Sequence, residues 1–126
     1  MESSYRHIVV EETHDVYFVS LKDTRLDEDE VYQLADEMLS LINDRGCRKL
    51  IFALGPESPD CLYSVFIAKL LMLRRRMVEV GGVMKLCCVS PHVRSVFEAC
   101  QLTDYFEFLP DKAAAIASFG NSATAN

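Results

Sequence analysis

Two hydroxyls carry the most direct chemistry this sequence offers. Ser58 lies in the polar stretch GPESPD, residues 55–60, and Ser64 interrupts the mostly apolar run CLYSVFIAKLL, residues 61–71. Both follow the apolar run KLIFAL, so they fall between an expected strand and an expected helix. The first turn of a helix has backbone N–H groups without intrahelical partners, and these can receive an anion, including a phosphate carried by a side chain. Ser64 therefore has two readings from the residues alone. It is a small residue capping its helix, or it belongs to a junction where the protein meets a partner. Glu57 and Asp60 stand close by in sequence, and they would oppose any negative charge added there.

Other chemistry is sparsely supplied. His7, His14 and His92 fall on an expected strand, a turn and a helix start, so spacing yields no Ser/His/Asp or Cys/His set. They read as surface or core imidazoles. Cys47, Cys61, Cys87, Cys88 and Cys100 form neither C-x-x-C nor a zinc-spaced cluster. Odd in number and mostly in apolar contexts, they read as reduced core thiols of a cytoplasmic protein. Gly55 and Gly81-Gly82 match no nucleotide fingerprint. No catalytic residue, metal or cofactor is expected. The net charge of −6 argues against nucleic acid as a partner. No apolar stretch approaches the roughly 20 residues that span a bilayer, and MESSYRHIVVEE lacks the pattern of a signal peptide.

The elements that must position the serines can be read in order along the 126 residues. RHIVVEE and DVYFVSL form an expected hairpin around Thr13-His14-Asp15. Asp27 is placed to cap the next helix, where Val31, Leu34, Ala35, Met38, Leu41 and Ile42 recur at helical spacing before Gly46. Residues 49–54 suit a strand covered on both faces. A second helix is expected from about Leu62 to Val80, stopped by Gly81-Gly82. VMKLCCV is the next strand, Ser90-Pro91 opens the short helix HVRSVFEAC, YFEFL is a last strand, and Asp111 caps DKAAAIASF. The sequence predicts one domain over 1–119 and a disordered tail over 120–126. The order β-β-α-β-α-β-α-β-α implies an α/β fold: a mixed, mostly parallel sheet, helices packed against it, and an antiparallel N-terminal edge.

On the second helix, Phe66, Leu70, Leu73 and Met77 share one face, the expected core. Ser64, Ala68, Leu71, Met72 and Arg75 lie opposite. Either another layer of the chain covers this second face, or it is a docking patch that begins at Ser64 and is bordered by Arg75. Arg74-Arg75-Arg76 reads as a solvated face whose aliphatic stems cover apolar surface.

The stretch from LYSVFIAKL through GGVMKLCCVSPHVRSVFEACQLTDYFEF resembles the STAS domain of anti-sigma factor antagonists. In that family a loop of the form D-S-S-G-L-G, or S-S-A-x-L-G-K-L, begins a helix. A Gly-Gly turn, a strand and S-P-x-V-x-x-x-F follow. Tyr63 to Leu70, Gly81-Gly82, Ser90-Pro91, Val93 and Phe97 stand at these places, and Leu26-Asp27 resembles the family's entry to the first helix. The resemblance covers about residues 5–118. It implies a STAS-like fold and a regulatory protein that binds an anti-sigma factor acting as a serine kinase, or another STAS-type regulator. A loop serine would be the phosphorylation switch, here Ser64 or Ser58. The implied partner-binding residues are Asp27, Asp60, Tyr63, Ser64, Val65, Ala68, Leu71, Met72 and Arg75. The motif departs from the family at Val65, which replaces the usual acceptor serine, at Tyr63, which replaces its aspartate, and at Phe66 and Ala68, which replace the glycines. These departures imply a degenerate switch beside a permanent docking face. A small α/β ligand-binding or receiver-like signalling domain is the alternative. A receiver needs an acceptor aspartate directly after a strand, which KLIFALGP does not supply.

Overall fold

The hairpin at the N-terminus turns as its residues dictate. β1 (Ile8–Thr13) and β2 (Val16–Leu21) pair antiparallel, with Thr13 opposite Val16. His14 and Asp15 make the two-residue turn at φ 50° and 72°, the left-handed backbone that matches the twist of flanking strands. The computed structural model describes residues 5–55 and 64–124, the side chains of 120–124 excepted.

α1 (Glu28–Asn43) opens on a capping box: Asp27 Oδ1 accepts from the Glu30 N–H at 2.9 Å, and Glu30 Oε1 accepts from the Asp27 N–H at 3.0 Å. Glu28, Asp29 and Glu30 occupy its first turn, where the helix dipole favours them. All six apolar residues that define its periodicity are buried. β3 (Lys49–Ala53) and β4 (Val83–Cys87) flank α2 (Ser64–Glu79) in the chain. α2 ends in a Schellman turn: Gly82 N–H donates to Met77 O at 2.7 Å, Gly81 N–H donates to Val78 O at 3.1 Å, and Gly81 sits at φ 78°. α3 (Pro91–Ala99) is capped by Ser90, whose Oγ accepts from the Val93 N–H at 3.2 Å. β5 (Glu107–Leu109) and α4 (Lys112–Thr124) complete the chain. Asp111 caps α4 by accepting from the Ala114 N–H at 2.8 Å.

The sheet order is β1-β2-β3-β4-β5, with every pairing parallel except β1 with β2. Strand alternation sorts the core into two layers. Tyr17, Val19, Leu50, Phe52, Met84 and Leu86 join the layer that holds the buried residues of α1, α2 and α3. Val16, Phe18, Ile51, Ala53 and Cys87 face Ala115 and Phe119 of α4. Consecutive crossovers of one hand place α1, α2 and α3 on one face, and α4 alone covers the other. A receiver-type sheet reverses its strand order at a switch point. This sheet runs straight from edge to edge, so the receiver alternative fails on topology.

Two sequence expectations need correction. β5 is three residues long rather than the five of YFEFL. Tyr105 is exposed outside it, and Phe106 leaves the strand to pack edge-on against Phe97 at 5.9 Å between centroids. α4 is described through Thr124. Finally, Cys47 and Cys87 are core thiols, but Cys88 is half-buried and Cys100 is exposed.

Candidate functional site

The parallel strands deliver their loops to one edge of the sheet. β2 leads to the Asp27 cap of α1, β3 through Gly55 to α2, and β4 to the Ser90 cap of α3. The amino ends of three helices therefore open at the carboxyl ends of the parallel strands. At this edge β3 and β4 leave the sheet in close contact. Leu54 N–H donates to Cys87 O at 3.0 Å, and a Cβ on Gly55 would stand 2.0 Å from Cys88 O. Only glycine fits there.

Ser64 is the first described residue of α2 and is exposed. Ala68 and Arg75 are exposed on the same face, while Phe66, Leu70, Leu73 and Met77 are buried on the other. Val65, Leu71 and Met72 take an intermediate position, half-buried and packed against the main core. Leu71 and Met72 are thus partly spent on the fold, and the apolar patch read from the helical wheel is narrower than expected. Val78 widens it again at the other end, with 60% of its surface exposed. It follows Leu71 by seven residues and Arg75 by three, so helical spacing alone could have singled it out. Ser58, Asp60 and Tyr63 lie outside the described residues. Asp27 is exposed at the same edge, but its carboxylate is engaged in the capping box.

The three consecutive arginines divide their labour. Arg74 lies over the Tyr105 ring at 5.3 Å. Arg76 Nε donates to Asn43 Oδ1 at 2.9 Å, tying the end of α2 to that of α1, and its Nη1 reaches Glu79 at 3.3 Å. Arg75 projects from the Ser64 face as an exposed cation. Lys69 lies over the Tyr32 ring of α1 at 4.8 Å. The surface beside Ser64 is therefore an exposed helix face with small and apolar residues at its centre and basic residues at its borders.

The opposite end of the sheet carries a polar groove of about 320 Å³, lined by Glu12, Asp15, Tyr17, Arg45, Gly46, Arg48 and Lys49. Its groups serve the fold. Tyr17 Oη donates to Arg45 O at 3.4 Å, and burial holds that phenol above its usual pKa. Arg48 Nη1 donates to Ile42 O at 3.2 Å and Cys47 O at 2.9 Å beyond the end of α1. His7 is buried, with Nε2 2.8 Å from Gln33 Oε1. Among the described residues, no group of three His, Cys, Asp or Glu gathers to hold a metal ion, and no helix is long and apolar enough to cross a membrane.

No family model matches the chain. BtrV of Bordetella bronchiseptica, named for anti-sigma factor antagonism, is 31% identical over 87 residues, covering 69% of this chain and 72% of that protein. A STAS domain protein from Planctomyces limnophilus has a TM-score of 0.78 at 28% identity, covering 90% of this chain and 97% of its own. Bacillus SpoIIAA in its phosphorylated form has a TM-score of 0.68 at 21% identity, covering 89% and 98%, which bears on the fold alone. Sheet order, helix placement and these likenesses define the class: this is a STAS domain. Within that class, the chain belongs to the anti-sigma factor antagonist family.

Proposed function

We propose that the chain acts in the cytoplasm by docking the Ser64 face of α2 onto an anti-sigma factor of the serine-kinase type, or onto another STAS regulator, without catalysis of its own. One observation carries the reading: Ser64, Ala68 and Arg75 stand exposed on one face of α2, a helix whose first described residue, Ser64, lies at the carboxyl edge of the sheet. Its family membership supports an anti-sigma factor as first candidate. Val65, in the place of the usual acceptor serine, is half-buried against the core, so it belongs to the support of the helix. On this reading the switch is degenerate and the docking face permanent, with Ser64 the hydroxyl that remains on it. A phosphate on Ser64 would add about −1.5 to −2 charges to this face, and SpoIIAA, a protein of the same fold, has been solved phosphorylated.

The test is a pull-down from the native host combined with phosphoproteomics, followed by titration of the recovered partner. Recovery of a kinase-like ATPase, with Ser64 and Ser58 unmodified, supports docking without a switch. Ala68→Glu and Ser64→Asp are expected to weaken binding by about tenfold or more, while Ser64→Ala leaves it unchanged. Because both altered side chains are exposed, the unfolding midpoint should stay close to that of the parent. Undiminished binding by Ala68→Glu would exclude this face of α2. Stoichiometric phosphate on Ser64 that abolishes binding would restore the switch.

A further inference from the structure

Cys87 closes β4, Cys88 follows it, and their Sγ atoms are 3.5 Å apart. Adjacency in sequence does not by itself produce this pairing, because successive residues of a strand point to opposite faces. The pairing comes with a change of backbone. Cys88 leaves the strand at φ 60°, the left-handed region that costs a non-glycine residue roughly 1–2 kcal/mol. There its sulfur lies beside that of Cys87. Cys87 is wholly buried among Val16, Phe18, Ile51, Phe119 and their neighbours, whereas Cys88 is half-buried at the margin of that cluster. The other described cysteines are placed differently. Cys47 is buried before β3, its Sγ 3.7 Å from Lys49 O, and Cys100 is exposed after α3.

We propose that Cys87 and Cys88 form a vicinal dithiol that hydrogen peroxide oxidises reversibly to a disulfide. Cys88 is the sulfur a peroxide reaches first. Its thiolate attacks the O–O bond and becomes a sulfenic acid, and the departing hydroxide takes up a proton to leave as water. The Cys87 sulfur then attacks the sulfenic sulfur, gives its own proton to the second departing hydroxide, and forms the S–S bond. Two thiols and one peroxide become one disulfide and two waters; the dithiol loses two electrons and the O–O bond gains them. A small-molecule dithiol reverses the reaction by exchange. The order of attack also fits the two environments. Burial, with the Cys88 neighbour as second cause, pushes the Cys87 thiol up to about 12, so Cys87 holds its proton until the sulfenic acid is in place.

The sequence makes the test direct in the unaltered chain. Trypsin cleaves after Lys85 and Arg94, and the peptide between them, LCCVSPHVR, contains Cys87 and Cys88 and no other cysteine. The folded protein is exposed to hydrogen peroxide, blocked with iodoacetamide, digested and weighed. The expected peptide has lost two hydrogens, carries no alkyl group, and regains both alkylation sites after dithiothreitol. Phenylarsine oxide, which bridges paired thiols, should protect it from oxidation. In Cys87→Ala, dimedone should instead trap a sulfenic acid on Cys88. A peptide that acquires two oxygens on Cys88 while Cys87 stays alkylatable would overturn the proposal. So would an unchanged peptide at peroxide concentrations that oxidise Cys100 in the same sample.

Discussion

Cys47 and Cys87 give the folded state a sensitivity to alkali. Burial pushes each thiol from an ordinary 9.0 up to about 12. The folded chain therefore keeps two protons that the unfolded chain releases at lower pH. Their contribution to stability is complete below pH 9 and is lost as the pH rises towards about 12. The expected slope is up to about 1.4 kcal/mol per pH unit for each thiol. Tyr17, raised from 10.0 chiefly by burial, acts in the same direction. Urea midpoints measured from about pH 8 to pH 11 should fall, and Cys47→Ala should flatten the fall; an unaltered slope would mean that this thiol ionises equally well in the fold. Asp27 works by geometry instead. Asp27→Ala removes an acceptor from the capping box and should cost about 1 kcal/mol in a denaturant titration. If Asp27 also touches the partner, binding should fall by more than this loss of stability explains.

At the scale of elements, helix ends were legible because each is specified by one or two residues. Asp27, Ser90-Pro91 and Asp111 mark starts in the sequence and cap those starts in space. Gly81-Gly82 likewise both predicts and builds the end of α2. α3 ends in the same turn without a glycine: Gln101 stands at φ 61°, with Leu102 N–H donating to Phe97 O at 2.9 Å and Gln101 N–H donating to Glu98 O at 3.0 Å. Gln101→Gly should therefore stabilise the chain by about 0.5–1 kcal/mol, the relief of left-handed strain less the added freedom of the unfolded state. Gly81→Ala should destabilise by about 1 kcal/mol, and thermal melts of the two variants should shift in opposite directions. The candidate site was only half legible, for a related reason. Periodicity identifies the buried centre of a helix, hence Phe66, Leu70, Leu73 and Met77, but the cover over flanking positions depends on neighbouring elements. Leu71 and Met72 are such flanks, packed partly into the core, whereas Val78, seven residues beyond Leu71 on the same side of the helix, stays exposed. The short β5 is another case, since Phe106 serves the contact with Phe97 rather than the strand its alternation suggested.

For the whole molecule, the two faces of the sheet are unequally held. Three helices cover one face, and α4 alone covers the other. Ala115 and Phe119 provide its buried apolar contacts, and burying a phenylalanine side chain contributes about 1.5–3 kcal/mol. Lys85, only 7% exposed, adds a polar tether from the sheet: Nζ donates to Ser118 Oγ at 2.7 Å, lies 3.4 Å from Glu107, and sits 4.2 Å from the Phe119 ring centroid. Lys112 pairs with Glu11 and lies over Phe18, an exposed contact that contributes little. Detaching α4 should thus require a few kcal/mol, less than the roughly 5–15 kcal/mol of global unfolding. Native-state hydrogen exchange is expected to show α4 amides opening below the free energy shared by α1 and β3. Phe119→Ala should widen that gap. Thiol labelling supplies an independent reading, because Cys87 lies under α4 whereas Cys47 is packed in the three-helix layer. Cys87 should react at the rate of local opening and Cys47 only through global unfolding. Equal labelling rates, with α4 exchanging in step with β3, would show that the two faces unfold as one cooperative unit. With unequal rates, α4 can lift while the Ser64 face of α2, on the other side of the sheet, keeps its shape.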